Sequence, residues 1–172
     1  MKTITYTKKD FAWTGWGELQ IKKAAEEIIA HKKKRYAEVK KIPAKERTFE
    51  NTVYAIEASD YDVIDSLYFI ELLMRASPKE SVRKATKKAI SMLERKLVDI
   101  EFDEGLYLAV KEYSKKNEKL RNENKKLFED MLLSYKRMGF ELPVKKQKEL
   151  KKNIKKRSKL STDFSNNINE YK

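Results

Sequence analysis

The sequence predicts an all-α fold: a multi-helix bundle of about six helices that ends in a long basic amphipathic helix. Only four glycines and three prolines punctuate the 172 residues, so few positions can break a helix. Lys, Glu, Leu, Ile and Ala are abundant, a composition of good helix formers. Apolar residues recur at three-and-four spacing, the period of one helix face.

The elements follow in chain order. Tyr6, Phe11, Trp13 and Trp16 gather around Gly15 and Gly17 and predict an irregular aromatic lead-in that docks on the helices. An aromatic platform for a ligand is the alternative use of those rings. The first helix is expected over Glu18–Lys41, with Ile21, Ala25, Ile28, Tyr36 and Val39 on one face. Lys32 and Arg35 interrupt that face, and snorkelling is expected of them, stems packed and charges in water. The other reading makes them a basic contact to another domain or ligand. His31 falls at the edge of the stripe and is expected at the surface, partly exposed.

After the break at Ile42 and Pro43, Thr48 is placed to cap a second helix reaching about Ala76. Val53, Ile56, Ile64, Leu67, Ile70, Leu72, Leu73 and Met74 make it apolar over a wide arc, which predicts a central position. Asp60, Asp62 and Asp65 resemble part of a calcium loop but lack its glycine and closing glutamate, so a solvated acidic patch is expected. In "SPKE" Ser77 is the expected cap, Pro78 the first helical residue and Glu80 the partner of a capping box. The third helix carries Val82, Ala85, Ala89, Leu93, Leu97 and Ile100 to about Glu101. Asp103 then caps a short fourth helix to about Tyr113. Ser114 to Lys126 holds one apolar residue, Leu120, and is expected to be an exposed connection or frayed helix ends. Leu127, Met131, Leu132 and Tyr135 define a fifth helix with Gly139 as the residue beyond its C-cap. From Val144 to Tyr171 Leu150, Ile154, Leu160, Phe164, Ile168 and Tyr171 form a stripe on a last helix.

Composition narrows the chemistry. With no cysteine and one histidine, thiolate chemistry, a histidine-rich metal site and Ser-His catalysis have no material within this chain. No phosphate-cradling GxxxxGK loop and no dinucleotide GxGxxG are present. The absence of cysteine and of long apolar runs reads as cytoplasmic, with no membrane partner. The net charge of +13 is uneven: Glu50 to Arg75 holds six acids and one base, Lys145 to Lys159 nine bases and one acid. The basic run (Lys145, Lys146, Lys148, Lys151, Lys152, Lys155, Lys156, Arg157, Lys159) can neutralise phosphates, yet no aromatic is interleaved for base stacking. A stand-alone basic helical protein that binds nucleic acid or a partner protein is therefore the alternative reading. Self-association through the stripe of the last helix belongs to the same surface.

Four stretches carry a resemblance. "RTFENTVYAIEASD" is similar to a "TFENT…AL" segment, and "SPKESVRKATKKAISMLERKLVDIEFDEGLYLAV" to an S-P-x-x-x-(I/V)-R segment and the helix after it. "LFEDMLLSYKRMGFELP" resembles an "L…L…RNGLxLP" element. "KKQKELKKNIKKRSKLSTDFSNNINE" resembles a long helix closing on Leu160, Phe164, Asn167, Ile168, Asn169 and Glu170. In this order they resemble the start of the thimet-oligopeptidase-like zinc metallopeptidases, a family that includes neurolysin and bacterial oligopeptidases. The likeness covers about Arg47 to Glu170. It implies an all-helical N-terminal lobe forming one wall of a channel for short peptides, partnered by a catalytic lobe of the same polypeptide. Zinc and its ligands would lie in that missing domain. No catalytic, cofactor or metal residue can be carried over to this chain. It is expected to be either an N-terminal domain of a longer peptidase or a free-standing protein retaining only the lobe. A stripe running uncapped to Tyr171 favours the first.

Overall fold

Gly17 is extended and the Gln20 side chain accepts its N–H at 3.1 Å, so the chain turns into its first helix immediately after the lead-in. The computed structural model describes residues 16–170, within which the fold is all-α. Six α-helices follow in order: α1 (Glu18–Lys41), α2 (Ala55–Ala76), α3 (Glu80–Glu101), α4 (Glu104–Ser114), α5 (Asn122–Arg137) and α6 (Val144–Glu170). Tyr6, Phe11 and Trp13 of the lead-in and Tyr171 of the last stripe lie outside the described residues. Trp16 packs its ring edge-on against Phe69 of α2, centroids 4.8 Å apart.

α1, α2 and α3 pack against one another, and their apolar faces close the largest core around Ile21, Ala25, Ile28, Ile70, Leu73 and Leu93. Each such aliphatic side chain removed from water contributes about 1.5–3 kcal/mol before chain entropy is counted. A second core joins the far half of α1 (Tyr36, Val39) to Ile56, Ile100, Leu106, Val110 and Tyr135. A third, smaller one holds Phe49, Val53 and Tyr113.

α2 differs from the expected central helix. Tyr61, Tyr68 and Leu72 are exposed, so one face is open. Its entry also differs. Thr48 caps as expected, accepting the Asn51 N–H at 3.2 Å while Asn51 Oδ1 accepts the Thr48 N–H at 2.8 Å. The first turn it caps, Phe49–Tyr54, is wound as a π-helix before α2 proper.

The expected capping box at "SPKE" does not form. Ser77 ends α2, donating its N–H to Leu73 O at 3.1 Å, and Ser77, Pro78 and Lys79 run between the helices. The residue before a proline is driven out of the α region, so Ser77 at ψ 130° ends α2; Lys79 is extended too, at ψ 117°, and α3 starts only at Glu80. Ser77 still contributes: its hydroxyl accepts the Lys79 N–H, and Arg83 Nη1 donates to its carbonyl at 2.6 Å. Asp103 caps α4 as expected, accepting the Leu106 N–H at 3.2 Å.

α5 closes in a Schellman turn. Phe140 N donates to Tyr135 O at 3.2 Å and Gly139 N to Lys136 O at 2.9 Å, with Gly139 left-handed at φ 83°. Phe140 then stacks on Tyr107 with centroids 5.0 Å apart, locking the turn to α4. A Cβ on Gly139 would stand 2.7 Å from Leu150 Cδ2 and 3.0 Å from Leu142 Cδ1. Gly139→Ala is therefore expected to cost about 2 kcal/mol, combining the left-handed penalty with displacement of those leucines. Denaturant unfolding of the pair of proteins measures it.

Candidate functional site

Between α1, α2, α3 and α5 lies a cleft of about 470 Å³. Its polar wall holds the carboxylates Glu57, Asp60, Glu101 and Asp130, and its apolar wall Met131 and Met138. Tyr36 and Tyr135 also line it, both almost fully buried. Helix periodicity delivers this set: Tyr36 sits on the packed face of α1, while Glu57 and Asp60 lie one turn apart on α2.

Lys32 sets the electrostatics. It is only 3 % exposed, its ammonium pairs with Asp60, and the same Nζ lies 5.5 Å from the centre of the Tyr36 ring. The expected snorkelling is thus wrong for Lys32, whose charge is turned inward because α2 places acids opposite it. Arg35 remains half exposed and bonds Glu38 at 3.2 Å, with Asp62 at 3.6 Å. His31 is partly exposed, as expected, with Nε2 2.9 Å from Asp62 Oδ2. Asp60 and Asp62 therefore tie α2 to α1 rather than forming a merely solvated patch.

Desolvation pushes Glu57 upward, with a further push from Asp60 and an opposing pull from Lys32. Glu101 is raised in the same way, first by desolvation, although its residue stays accessible to solvent at the helix end. Tyr36 and Tyr135 are raised chiefly by burial. The cleft is an acid-rich recess that keeps one paired lysine, an environment that favours cationic groups over anionic ones. No group of three or more His, Cys, Asp or Glu side chains among the described residues is arranged to hold a metal ion.

The stretch Arg47 to Val53 is a structural knot beside this cleft. Arg47 is buried; its Nη1 donates to Val39 O at 3.1 Å, satisfying the end of α1, and its Nε lies 3.3 Å from Glu112 Oε2. That Nε contact is electrostatic, off the line of a hydrogen bond. From the connection after α4, Glu118 accepts the Phe49 N–H at 3.2 Å and the Tyr113 hydroxyl at 2.9 Å. Lys116 Nζ donates to the carbonyls of Lys45 and Arg47 at 2.7 and 2.6 Å. The connection is exposed, as expected, and is also pinned by Lys116 and Glu118. Sequence spacing could not reveal this, because the partners stand about seventy positions apart.

α6 packs on α3 by its polar edge. Lys151 and Lys155 place Nζ 3.0 and 2.6 Å from Asp99 Oδ1, and Ser158 and Thr162 donate to Glu94. About 160° round the helix, Leu160, Phe164 and Ile168 stay exposed. Two of the nine bases of the basic run are thus committed to α3. Hydrogen bonds from Lys155 and Lys151 hold the Asp99 carboxyl below its ordinary value. A lowered carboxylate contributes stability above its unfolded value and loses it as pH falls through the folded one. Acid near and below the ordinary aspartate value should therefore loosen α6. Asp99→Asn is expected to loosen this docking at neutral pH by about 1 kcal/mol, the scale of exposed pairs. Trypsin should then cut within α6 roughly fivefold faster, and salt should narrow the difference from wild type.

Among the described residues no helix is long and apolar enough to cross a membrane. A comparison with protein-family models finds none that matches this sequence.

Proposed function

We propose that this chain is the N-terminal, non-catalytic lobe of a zinc oligopeptidase of the thimet-oligopeptidase-like kind, working in the cytoplasm. The observation that carries this reading is where the four resembling stretches fall. "RTFENT" builds the capped π-turn and its knot, and "SPKE…LYLAV" builds α3 and α4. "LFEDMLLSYKRMGFELP" builds α5 with its Schellman turn, and the last stretch is α6. The resembling segments fall in turn on the π-turn and the start of α2, on α3 with most of α4, on α5 from Leu127 through its Schellman turn, and on α6.

In this reading a second lobe of the same polypeptide holds the zinc, which supplies an activated water to the peptide bond. This lobe walls the channel and limits the length of peptide admitted. Its acidic cleft would favour peptides that carry a positive charge, and the open stripe of α6 gives the second lobe a surface to cover. The polypeptide encoded by the uninterrupted reading frame is expected to cleave a short internally quenched peptide in a chelator-sensitive way. The 172-residue chain alone is expected to cleave none. Chelator-sensitive cleavage by the chain alone would overturn the proposal.

A further inference from the structure

Two open faces of this chain match each other. On α2, Tyr61, Tyr68 and Leu72 fall within about 40° of one another round the helix axis, and exposed Tyr54 ends the π-turn just before them. Tyr61 and Tyr68 are 63 % and 57 % exposed. They stand in an acidic segment, Glu50 to Arg75, with a net charge of −5. On α6, Leu160, Phe164 and Ile168 are exposed at successive four-residue steps, Phe164 at 66 %. They follow directly on Lys145 to Lys159, with a net charge of +8. Laid parallel, the two helices bring the basic half of α6 against Glu57 to Asp65. Lys151 and Lys155 already pair with Asp99, and Asp60 and Asp62 already pair with α1, so the match is one of net charge along the strip. The same register brings Leu160 and Phe164 against Tyr68 and Leu72. Apolar meets apolar and positive meets negative along one continuous strip. Stripe-on-stripe pairing of two α6 helices gains no such charge match.

We propose that the α6 stripe of one copy docks on the tyrosine-and-acid face of α2 in a second copy, so that the 172-residue chain associates head to tail. The contact is heterologous: the copy that gives its α6 stripe keeps a free α2 face and its partner keeps a free α6 stripe, so a further copy can add at either end. This does not rest on the peptidase reading. A second lobe covering α6 would compete for the same stripe, so association belongs to the chain without that lobe.

Sedimentation velocity on the chain and two surface variants tests this. Wild type is expected to show a mass that rises with concentration past that of a dimer, and to dissociate in 1 M salt, where screening is short-ranged. Tyr61→Ser with Tyr68→Ser removes the α2 face, and Leu160→Ser with Phe164→Ser removes the α6 stripe. All four residues are exposed, and circular dichroism checks that each variant keeps its helices. Each variant alone is expected to be monomeric. Their mixture is expected to give a dimer that grows no further, because it retains one good α2 face and one good stripe. A wild type that stays monomeric at high concentration overturns the proposal. So does an α2 variant that still associates, which would mean that stripe meets stripe, and so does a mixture that stays monomeric. None of these results bears on whether the parent polypeptide cleaves peptides.

Discussion

Leu73→Ala is expected to lower the stability of the fold by about 3 kcal/mol. Leu73 is fully buried where α1, α2 and α3 meet, among Ile21, Ile28, Ile70 and Leu93. Truncation removes three carbons from water-free surroundings and leaves a cavity walled by three helices. The backbone has little room to collapse into it, because Leu73 O also accepts the N–H of Ser77 at the end of α2. For a chain of this size the melting temperature should fall by about 6–12 °C. Leu72→Ala one position away is the control: Leu72 is exposed, and its loss should cost well under about 1 kcal/mol.

The second large effect is expected at the cleft. Lys32→Met keeps a stem of similar shape and deletes the ammonium that pairs with Asp60. Glu57, Asp60 and Glu101 are then left close together without that cation, and desolvation already raises Glu57 and Glu101. Removal of one partner of a fully buried pair costs about 3–5 kcal/mol, but Asp60 is half exposed, so about 2 kcal/mol is expected at neutral pH. The pH dependence has a definite sign. Lys32 lowers both glutamates, so its loss lifts their folded values further above the unfolded one. A raised carboxylate destabilises above its folded value and ceases to do so once pH falls below the unfolded value, near 4.5. The gap between variant and wild type should therefore be widest at neutral pH and narrow in acid. Chemical denaturation at several pH values measures it. A gap that widens in acid would mean that Lys32 does not compensate this cluster.

Helix positions were legible wherever local chemistry decides them. The bounds of α1 at Glu18 and Lys41 follow from Gly17 at one end and Ile42-Pro43 at the other. Asp103 and Gly139 act as cap and C′ residue because their side-chain chemistry and backbone freedom are nearly sufficient by themselves. What periodicity could not supply was the identity of the neighbour across a face. Lys32 lies on the apolar face of α1, and spacing alone suggested an ammonium reaching water. The carboxylates that draw it inward are contributed by another helix, Asp60 standing 28 positions away. The lysines of α6 read as one basic run able to neutralise phosphates, yet Lys151 and Lys155 dock the helix on Asp99. At Ser77 a strong capping pattern failed because Lys79 stays extended, which moves the start of α3 to Glu80, three residues beyond Ser77. The acidic cleft was illegible for the same reason as the Lys32 pair. Its walls come from four helices, and only the assembled fold brings Glu57, Glu101 and Asp130 to one recess.

The most direct test of the peptidase reading is the reading frame beyond the codon for Lys172. It is expected to stay open for several hundred codons and to encode a helix bearing HExxH, the zinc-binding and general-base motif of such enzymes. A stop codon immediately after Lys172 would contradict the peptidase reading and leave a free-standing helical protein.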